Sequence, residues 1–216
     1  MDIIEKGIQK GLISFDEERK RVTYIHQGKT RNYTNLEEQV QTEAFLKLVL
    51  SYNYTVERIK QYVSVKMGSQ TKEADIIVYN YDDCKQPHIL VECKKQEVSE
   101  QEFLQAIEQA YSYAYALPND VKYVWVTSEL KNEYFEVDKK YNTRATQPDI
   151  PQFGVKKLTT YKYVYEADLL EQKKGKQKFF DLTVIDQEQL TKSFKQAHDA
   201  LWAGGQLNVK QIIIFT

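Results

Sequence analysis

The chain has 216 residues, a formal net charge of −1 and two cysteines. This length accommodates one sizeable domain with an appendage. The near-zero charge provides no overall basic surface, so contact with nucleic acid would require a local basic patch. Two cysteines argue against a disulfide framework and indicate a reducing compartment, and we expect a cytoplasmic protein. The chain start is unlike a signal peptide, and no stretch approaches the roughly 20 apolar residues of a membrane span.

Residues 1–34 are expected to form a β-rich N-terminal extension. Arg21–Ile25 is predicted as a short strand, followed by a turn at 27–30. Gly28, with the lysine and threonine after it, invites comparison with a phosphate-binding loop, which needs another glycine five residues earlier. Thr23 occupies that position, and no helix follows directly. We therefore predict that this chain does not bind ATP.

A first long helix is predicted over Leu36–Leu50. Val40, Ala44 and Leu48 recur at every fourth position and form an apolar stripe. Glu37 lies on that stripe, and an acidic residue on a buried face is most easily explained if it points at a metal site. A first-turn glutamate favoured by the helix dipole is an equally good explanation.

Three strands are expected after this helix. The first is predicted from Tyr62 to Lys66, after which a turn leads into two apolar runs at 74–79 and 88–91. The residues between the two runs are polar and include Pro87, so the runs are expected to form a hairpin with a long turn.

Charged residues stand at the ends of the two hairpin strands. Asp75 begins one strand and Glu92 follows the other, so they are expected on neighbouring strands. Because alternate side chains of a strand share a face, Glu92 and Lys94 project together. Burying such charges is costly unless they are paired or bound to a metal. Two carboxylates beside a lysine suit Mg²⁺, although a surface Glu/Lys pair on an edge strand produces the same loose pattern.

A capped helix is predicted directly after these strands. Ser99 and Glu102 form a capping box, and apolar residues follow at helical spacing. Gln109 and Tyr113 lie one turn apart on the flank of the apolar face, within reach of the end of the strand that bears Lys94. Ordinary packing is the alternative explanation for Tyr113.

The predicted elements define an α/β fold. With a further buried strand at Val121–Thr127, residues 35–140 form an αβββαβ core, a central mixed sheet flanked by helices. Beyond it, residues 141–185 are expected to be an irregular extension and residues 186–216 a helical linker.

These segments resemble the PD-(D/E)XK nucleases with their restriction-endonuclease-like fold, and within them the N-terminal nuclease domain of type I restriction enzymes. Ala74 stands where the motif's name has proline, a substitution that is common in the family. The likeness runs from about residue 36 to residue 140, through three motifs: Ala74-Asp-Ile-Ile-Val78, Val91-Glu-Cys-Lys-Lys95 and Ala106-Ile-Glu-Gln-Ala-Tyr-Ser-Tyr-Ala114.

The resemblance implies roles for the site residues. Asp75 and Glu92 would be metal ligands for Mg²⁺, which Mn²⁺ would replace, and Lys94 would be the catalytic lysine. Gln109 and Tyr113 would be the accessory pair that arranges this lysine and the DNA phosphate.

Further residues enter through the same resemblance. Many such nucleases use a carboxylate from the helix before the first core strand, which would make Glu37 an additional metal ligand. The chain end, Phe194–Asn208, resembles the start of the helical region that precedes a fused adenine DNA methyltransferase. Lysines around the site are expected to provide a local basic rim for DNA: Lys60, Lys66, Lys72, Lys94, Lys95, Lys139 and Lys140.

We therefore expect a Mg²⁺-dependent DNA endonuclease domain of a type I-like restriction–modification system. DNA would be its substrate, and specificity and methyltransferase subunits or domains would be its partners. Two alternatives stay open. One is a catalytically silent DNA-binding or assembly module, which an absence of metal binding would favour. The other is a repair or junction-resolving nuclease, which would prefer structured DNA.

Overall fold

A computed structural model describes residues 2–155, together with 191, 194 and 195. The chain divides into two compact units, Met1–Leu158 and Thr159–Thr216. Every helix and strand named below belongs to the first unit. The predicted helical linker, 186–216, lies almost wholly outside the described residues, as does most of the predicted irregular extension, 141–185.

The N-terminal segment forms a short helix and a three-stranded antiparallel sheet. The elements are α1 (Ile3–Gln9), β1 (Ile13–Phe15), β2 (Arg21–Tyr24) and β3 (Lys29–Asn32), with the strands in that order. The predicted turn is present, and Gly28 at its end has a φ of 61°, a conformation that glycine adopts without strain. Helix α1 was not expected from the sequence. It packs closely on the next helix, because a Cβ at Gly7 would lie 2.6 Å from Cδ2 of Leu46.

The second sheet has six strands in the order β4-β5-β6-β7-β8-β9. Strands β6 and β7 run parallel, whereas the other neighbours are antiparallel. A mixed sheet flanked by helices confirms the predicted α/β class. The elements are α2 (Leu36–Leu50), a 3-10 turn (Val56–Arg58), β4 (Ile59–Met67), β5 (Gln70–Tyr79), β6 (Pro87–Cys93), α3 (Glu100–Ala116), β7 (Tyr123–Thr127), β8 (Asn132–Asp138) and β9 (Thr143–Gln147).

Both faces of the six-stranded sheet are buried. On β6, Ile89 and Val91 join the apolar cluster that includes α2, whereas Leu90 joins the cluster that includes α3. A strand covered on both faces needs apolar residues at successive positions, which explains the continuous apolar run in the sequence. No helix in the described part of the chain is both long enough and apolar enough to cross a lipid bilayer.

The folded core continues past residue 140, into the segment expected to be irregular. Strand β9 adds to the sheet edge through β8. Four of its five residues are polar and most are exposed, so they show no apolar alternation. Farther along, Ile150 is buried. The hydroxyl of Tyr52 donates to Asp149 (2.5 Å), and that of Tyr54 donates to the carbonyl of Pro151 (2.9 Å). These contacts tie this segment to the end of α2.

Candidate active site

Asp75 and Glu92 lie on neighbouring strands at the same end of the β5–β6 hairpin. Ile76 is paired with Val91 in the antiparallel register, so the next residues outward, Asp75 and Glu92, lie across from each other. The backbone N–H of Cys93 donates to Oδ2 of Asp75 at 2.7 Å. This bond fixes the aspartate against the end of β6.

The Glu92 carboxylate is buried, with only 1% of the residue exposed. Its Oε1 accepts hydrogen bonds from Nζ of Lys94 and from Nε2 of Gln109, both at 2.9 Å. Its Oε2 is buried and has no hydrogen-bond partner among the described residues. A buried oxygen without a donor costs free energy, and a bound cation would relieve that cost.

Lys94 follows β6 directly and stays attached to the sheet. Its backbone N–H donates to the carbonyl of Thr127 on β7 at 2.8 Å. Burial alone lowers the pKa of the Lys94 ammonium, but the charge and hydrogen bond of Glu92, together with the charge of Asp75, outweigh it, so the pKa is raised. Lys94 therefore remains a cation at neutral pH.

Burial raises the pKa of both carboxyl groups in the site. For Asp75, the negative charge of Glu92 raises the pKa further. For Glu92, the charge and hydrogen bond of Lys94 act in the opposite direction without cancelling the effect of burial. The ionised form of each carboxylate disfavours ionisation of the other. A cation bound between them would therefore stabilise both.

Glu37 is exposed, so the interpretation that it lies on the buried face of its helix was wrong. The adjacent Glu38 is the buried one, because Tyr24 (2.6 Å) and Tyr62 (2.5 Å) donate their hydroxyl protons to its Oε1. The negative charge of Glu37 nevertheless raises the pKa of Asp75, as it does that of Glu92. Glu37 is thus close enough for its charge to act on both carboxyl groups.

Helix α3 brings its two polar residues to the site. Its start is fixed by the predicted capping box, in which Ser99 and Glu102 bond reciprocally. One α3 side chain, Gln109, donates both to Glu92 and to the hydroxyl of Tyr113, each at 2.9 Å. By contrast, Lys95 is exposed, and its side chain forms no hydrogen bond or ion pair within the described residues.

The carboxylate oxygens of Asp75 and Glu92 suit a divalent cation that takes few of its ligands from the protein. Within residues 2–155, no three His, Cys, Asp or Glu side chains converge as a ready-made metal cluster. Mg²⁺ needs no such cluster, because it commonly binds one or two carboxylates and completes its shell with water and substrate phosphate. The unpartnered Oε2 of Glu92, beside the carboxylate of Asp75, matches that requirement.

Tyr62 is a site neighbour that the sequence did not reveal. Its φ is 56°, a left-handed conformation that costs an aromatic residue about 1–3 kcal/mol unless the surroundings impose it. The paired residues on either side place Tyr62 across from Asp75. Those flanking pairs are Gln61 with Ile76 and Val63 with Ala74.

At Tyr62, the alternation of β4 side chains between the two faces of the sheet is interrupted. Ile59 belongs to the cluster of α2, whereas Val63 and Val65 pack with the cluster of α3. Residues an even number apart on a regular strand share a face, so the alternation changes between Ile59 and Val63. The β4–β5 strand pair therefore passes from the cluster of α2 to the cluster of α3 at the position of Asp75.

The described residues thus form a mixed α/β domain with a nuclease-like core and a buried acidic pair beside a lysine. Residues 36–151, more than half of the chain, match the family model described as type I restriction enzyme R protein N terminus (HSDR_N), and the chain belongs to this family. Comparison with curated proteins and with solved structures produced no match.

Proposed function

We propose that this domain is a Mg²⁺-dependent DNA endonuclease of a type I-like restriction–modification system, with the site of a PD-(D/E)XK nuclease. Membership of the restriction-enzyme family supports a nuclease-type domain. The observation that carries the proposal is the Glu92 carboxylate. It is buried beside Asp75, one oxygen is shared by Lys94 and Gln109, and the other is without a partner among the described residues.

Asp75 and Glu92 are the residues proposed to hold Mg²⁺, or Mn²⁺ in its place, with Glu37 as a further carboxylate near them. When bound, the metal supplies Lewis-acid polarisation of the phosphodiester and a more acidic water. The hydrogen bond from Cys93 keeps the Asp75 carboxylate in place.

The remaining residues position charge and protons. Lys94 is held as a cation 2.9 Å from Glu92, where it stabilises negative charge on the phosphate and orients the attacking water. The hydroxyl of Tyr113 accepts from Gln109, which leaves its own proton available for a phosphate oxygen. By analogy with the nucleases that the site resembles, hydrolysis is expected to leave a 5′ phosphate.

The proposed partners follow from the family. DNA is the proposed substrate, and the other components of a restriction–modification complex, its specificity and methyltransferase subunits or domains, are proposed to choose the target sequence. In this arrangement the domain cuts where the complex delivers it.

The test compares plasmid cleavage in Mg²⁺ and in Mn²⁺ at low salt. Asp75→Ala and Lys94→Ala are both expected to abolish cleavage. Lys85→Ala is the matched control, because Lys85 is an exposed lysine in the β5–β6 turn, at the other end of the hairpin. Calorimetry on the same samples should show metal binding that Asp75→Ala removes and Lys94→Ala keeps. Full cleavage by Lys94→Ala would refute the proposal.

A catalytically silent DNA-binding or assembly module is the second candidate. It would belong to the same family, and metal binding separates it from the endonuclease. A wild-type protein that neither cleaves nor binds metal would establish this role. Metal binding that depends on Asp75, without cleavage, would instead mean a complete site that requires its partner subunits.

A further inference from the structure

Arg31 lies over the aromatic ring of Tyr62, the residue across from Asp75. Its Cζ is 3.9 Å from the ring centroid. No carboxylate pairs with Arg31, and its guanidinium donates no hydrogen bond, among residues 2–155. The stacked guanidinium therefore keeps its donor edges available while its orientation is restricted.

The register of the three-stranded sheet determines which way Arg31 points. Arg31 is paired with Val22, and Lys29 is paired with Tyr24. Residues opposite each other in an antiparallel pair share a face. Val22 and Tyr24 are buried in the core, so Arg31 and Lys29 lie on the inner face of this sheet, towards β4.

Lys29 has a structural role at the outer edge of β4. Its Nζ donates to the carbonyl of Gln61 at 2.7 Å. Burial, followed by the positive charge of Arg31, lowers the pKa of Lys29, and the charge of Lys60 adds to the effect while Glu73 opposes it. The positive charges of Arg31 and Lys60 thus both act on Lys29, beside the strand that faces Asp75.

Glu73 acts on Lys29, but no carboxylate pairs with Arg31 among residues 2–155, so an anion is the natural counterpart of the Arg31 guanidinium. Guanidinium groups suit phosphate because their planar donors bind two oxygens at once, and stacking on an aromatic ring orients them beforehand. We propose that Arg31 binds a phosphate of the DNA backbone next to the cleavage site. This inference rests on the proposed function, since it assumes that DNA is the substrate.

The test measures binding of a fluorescently labelled duplex by anisotropy, without divalent metal, over a range of salt concentrations. Arg31→Gln in the full chain is expected to weaken binding about fivefold and to reduce the slope of log Kd against log salt by about 1. Arg21→Gln is the matched control, because Arg21 is an exposed arginine of the same sheet, one residue from Val22 and therefore on the outer face.

Two further measurements separate binding from folding. Arg31→Lys keeps the charge and should restore most of the salt slope, whereas thermal unfolding reports any loss of the Tyr62 stack. The inference is overturned if the wild type does not bind the duplex, or if Arg31→Gln binds with wild-type affinity and salt slope. The second result would leave the Arg31–Tyr62 stack with a purely structural role.

The same samples distinguish this failure from failure of the proposed function. If the wild type cleaves DNA and Arg31→Gln binds as the wild type does, only the phosphate site is wrong. If binding depends on Arg31 but the wild type neither cleaves DNA nor binds Mg²⁺ or Mn²⁺, the phosphate site stands and the endonuclease proposal fails.

Discussion

Gln109 on α3 and Glu92 on β6 are joined by a hydrogen bond of 2.9 Å, from Nε2 of the amide to Oε1 of the carboxylate. Lys94 donates to the same oxygen. With both donors on Oε1, the carboxylate is held so that Oε2 is the oxygen left without a partner among the described residues. The orientation of the buried glutamate is therefore imposed by a helix as well as by its own strand.

Replacing Gln109 with leucine, which is similar in size, should reduce metal-dependent cleavage by about 10- to 100-fold, the usual effect of losing a group that orients a metal ligand. Initial rates at saturating metal would show the loss. Tyr113→Phe is the matched comparison, because it keeps the Gln109–Glu92 bond and should cost less. Equal rates for Gln109→Leu and the wild type would mean that Lys94 alone orients Glu92.

Asp75→Asn should stabilise the metal-free protein while removing its response to Mg²⁺. Burial and the nearby Glu92 raise the pKa of Asp75, so its ionised form destabilises the fold at neutral pH, whereas the asparagine oxygen still accepts from Cys93. We expect a gain of about 1 kcal/mol, or about 2–4 °C in Tm, in EDTA. Added Mg²⁺ should raise the Tm of the wild type only. A lower Tm for Asp75→Asn in EDTA would contradict this account.

Gly7→Ala should destabilise the domain by about 1–3 kcal/mol through overpacking. The added methyl group would meet the side chain of Leu46, which is fully buried. Urea unfolding would measure the change, with Lys6→Ala as the control because Lys6 is an exposed residue of the same helix. Adding Leu46→Val to Gly7→Ala makes room and should recover part of the loss. A neutral Gly7→Ala would mean that α1 does not pack on α2 in solution.

His88 should make stability fall as the pH drops from about 6.5 to about 4. Burial, aided by the charge of Lys122, lowers the pKa of His88 to about 4. Between these values the unfolded chain binds a proton that the folded protein does not, so acid favours unfolding. The effect should reach about 1–3 kcal/mol, and it should level off below the folded pKa.

His88→Gln should flatten this part of the stability profile, measured by urea unfolding in EDTA across the pH range. Titration of the imidazole by NMR supplies an independent value. His26→Gln is the control, because His26 is an exposed histidine in the turn before β3. An NMR pKa near 6.5 for His88 would show that its ring is hydrated in the folded protein.

Local patterns in the sequence predicted the central elements and the residues that meet at the site. Two continuous apolar runs and a polar turn between them indicated the hairpin, which does place Asp75 across from Glu92. The capping box and the one-turn spacing predicted a helix from which Gln109 reaches Glu92. These features depend on strand periodicity, helix periodicity and capping chemistry, all of which act between residues close in sequence.

Contacts between distant segments decided the rest. Glu38 is buried in place of Glu37 because hydroxyl groups from β2 and β4 satisfy its carboxylate, and no pattern within the helix encodes those donors. The left-handed conformation of Tyr62 likewise depends on two cores that meet at Asp75. The sequence by itself thus determined which strands and helices form and which charges lie at their ends. Only the tertiary structure decided which acidic side chain faces inward and where the basic cluster lies, because burial depends on partners far away along the chain.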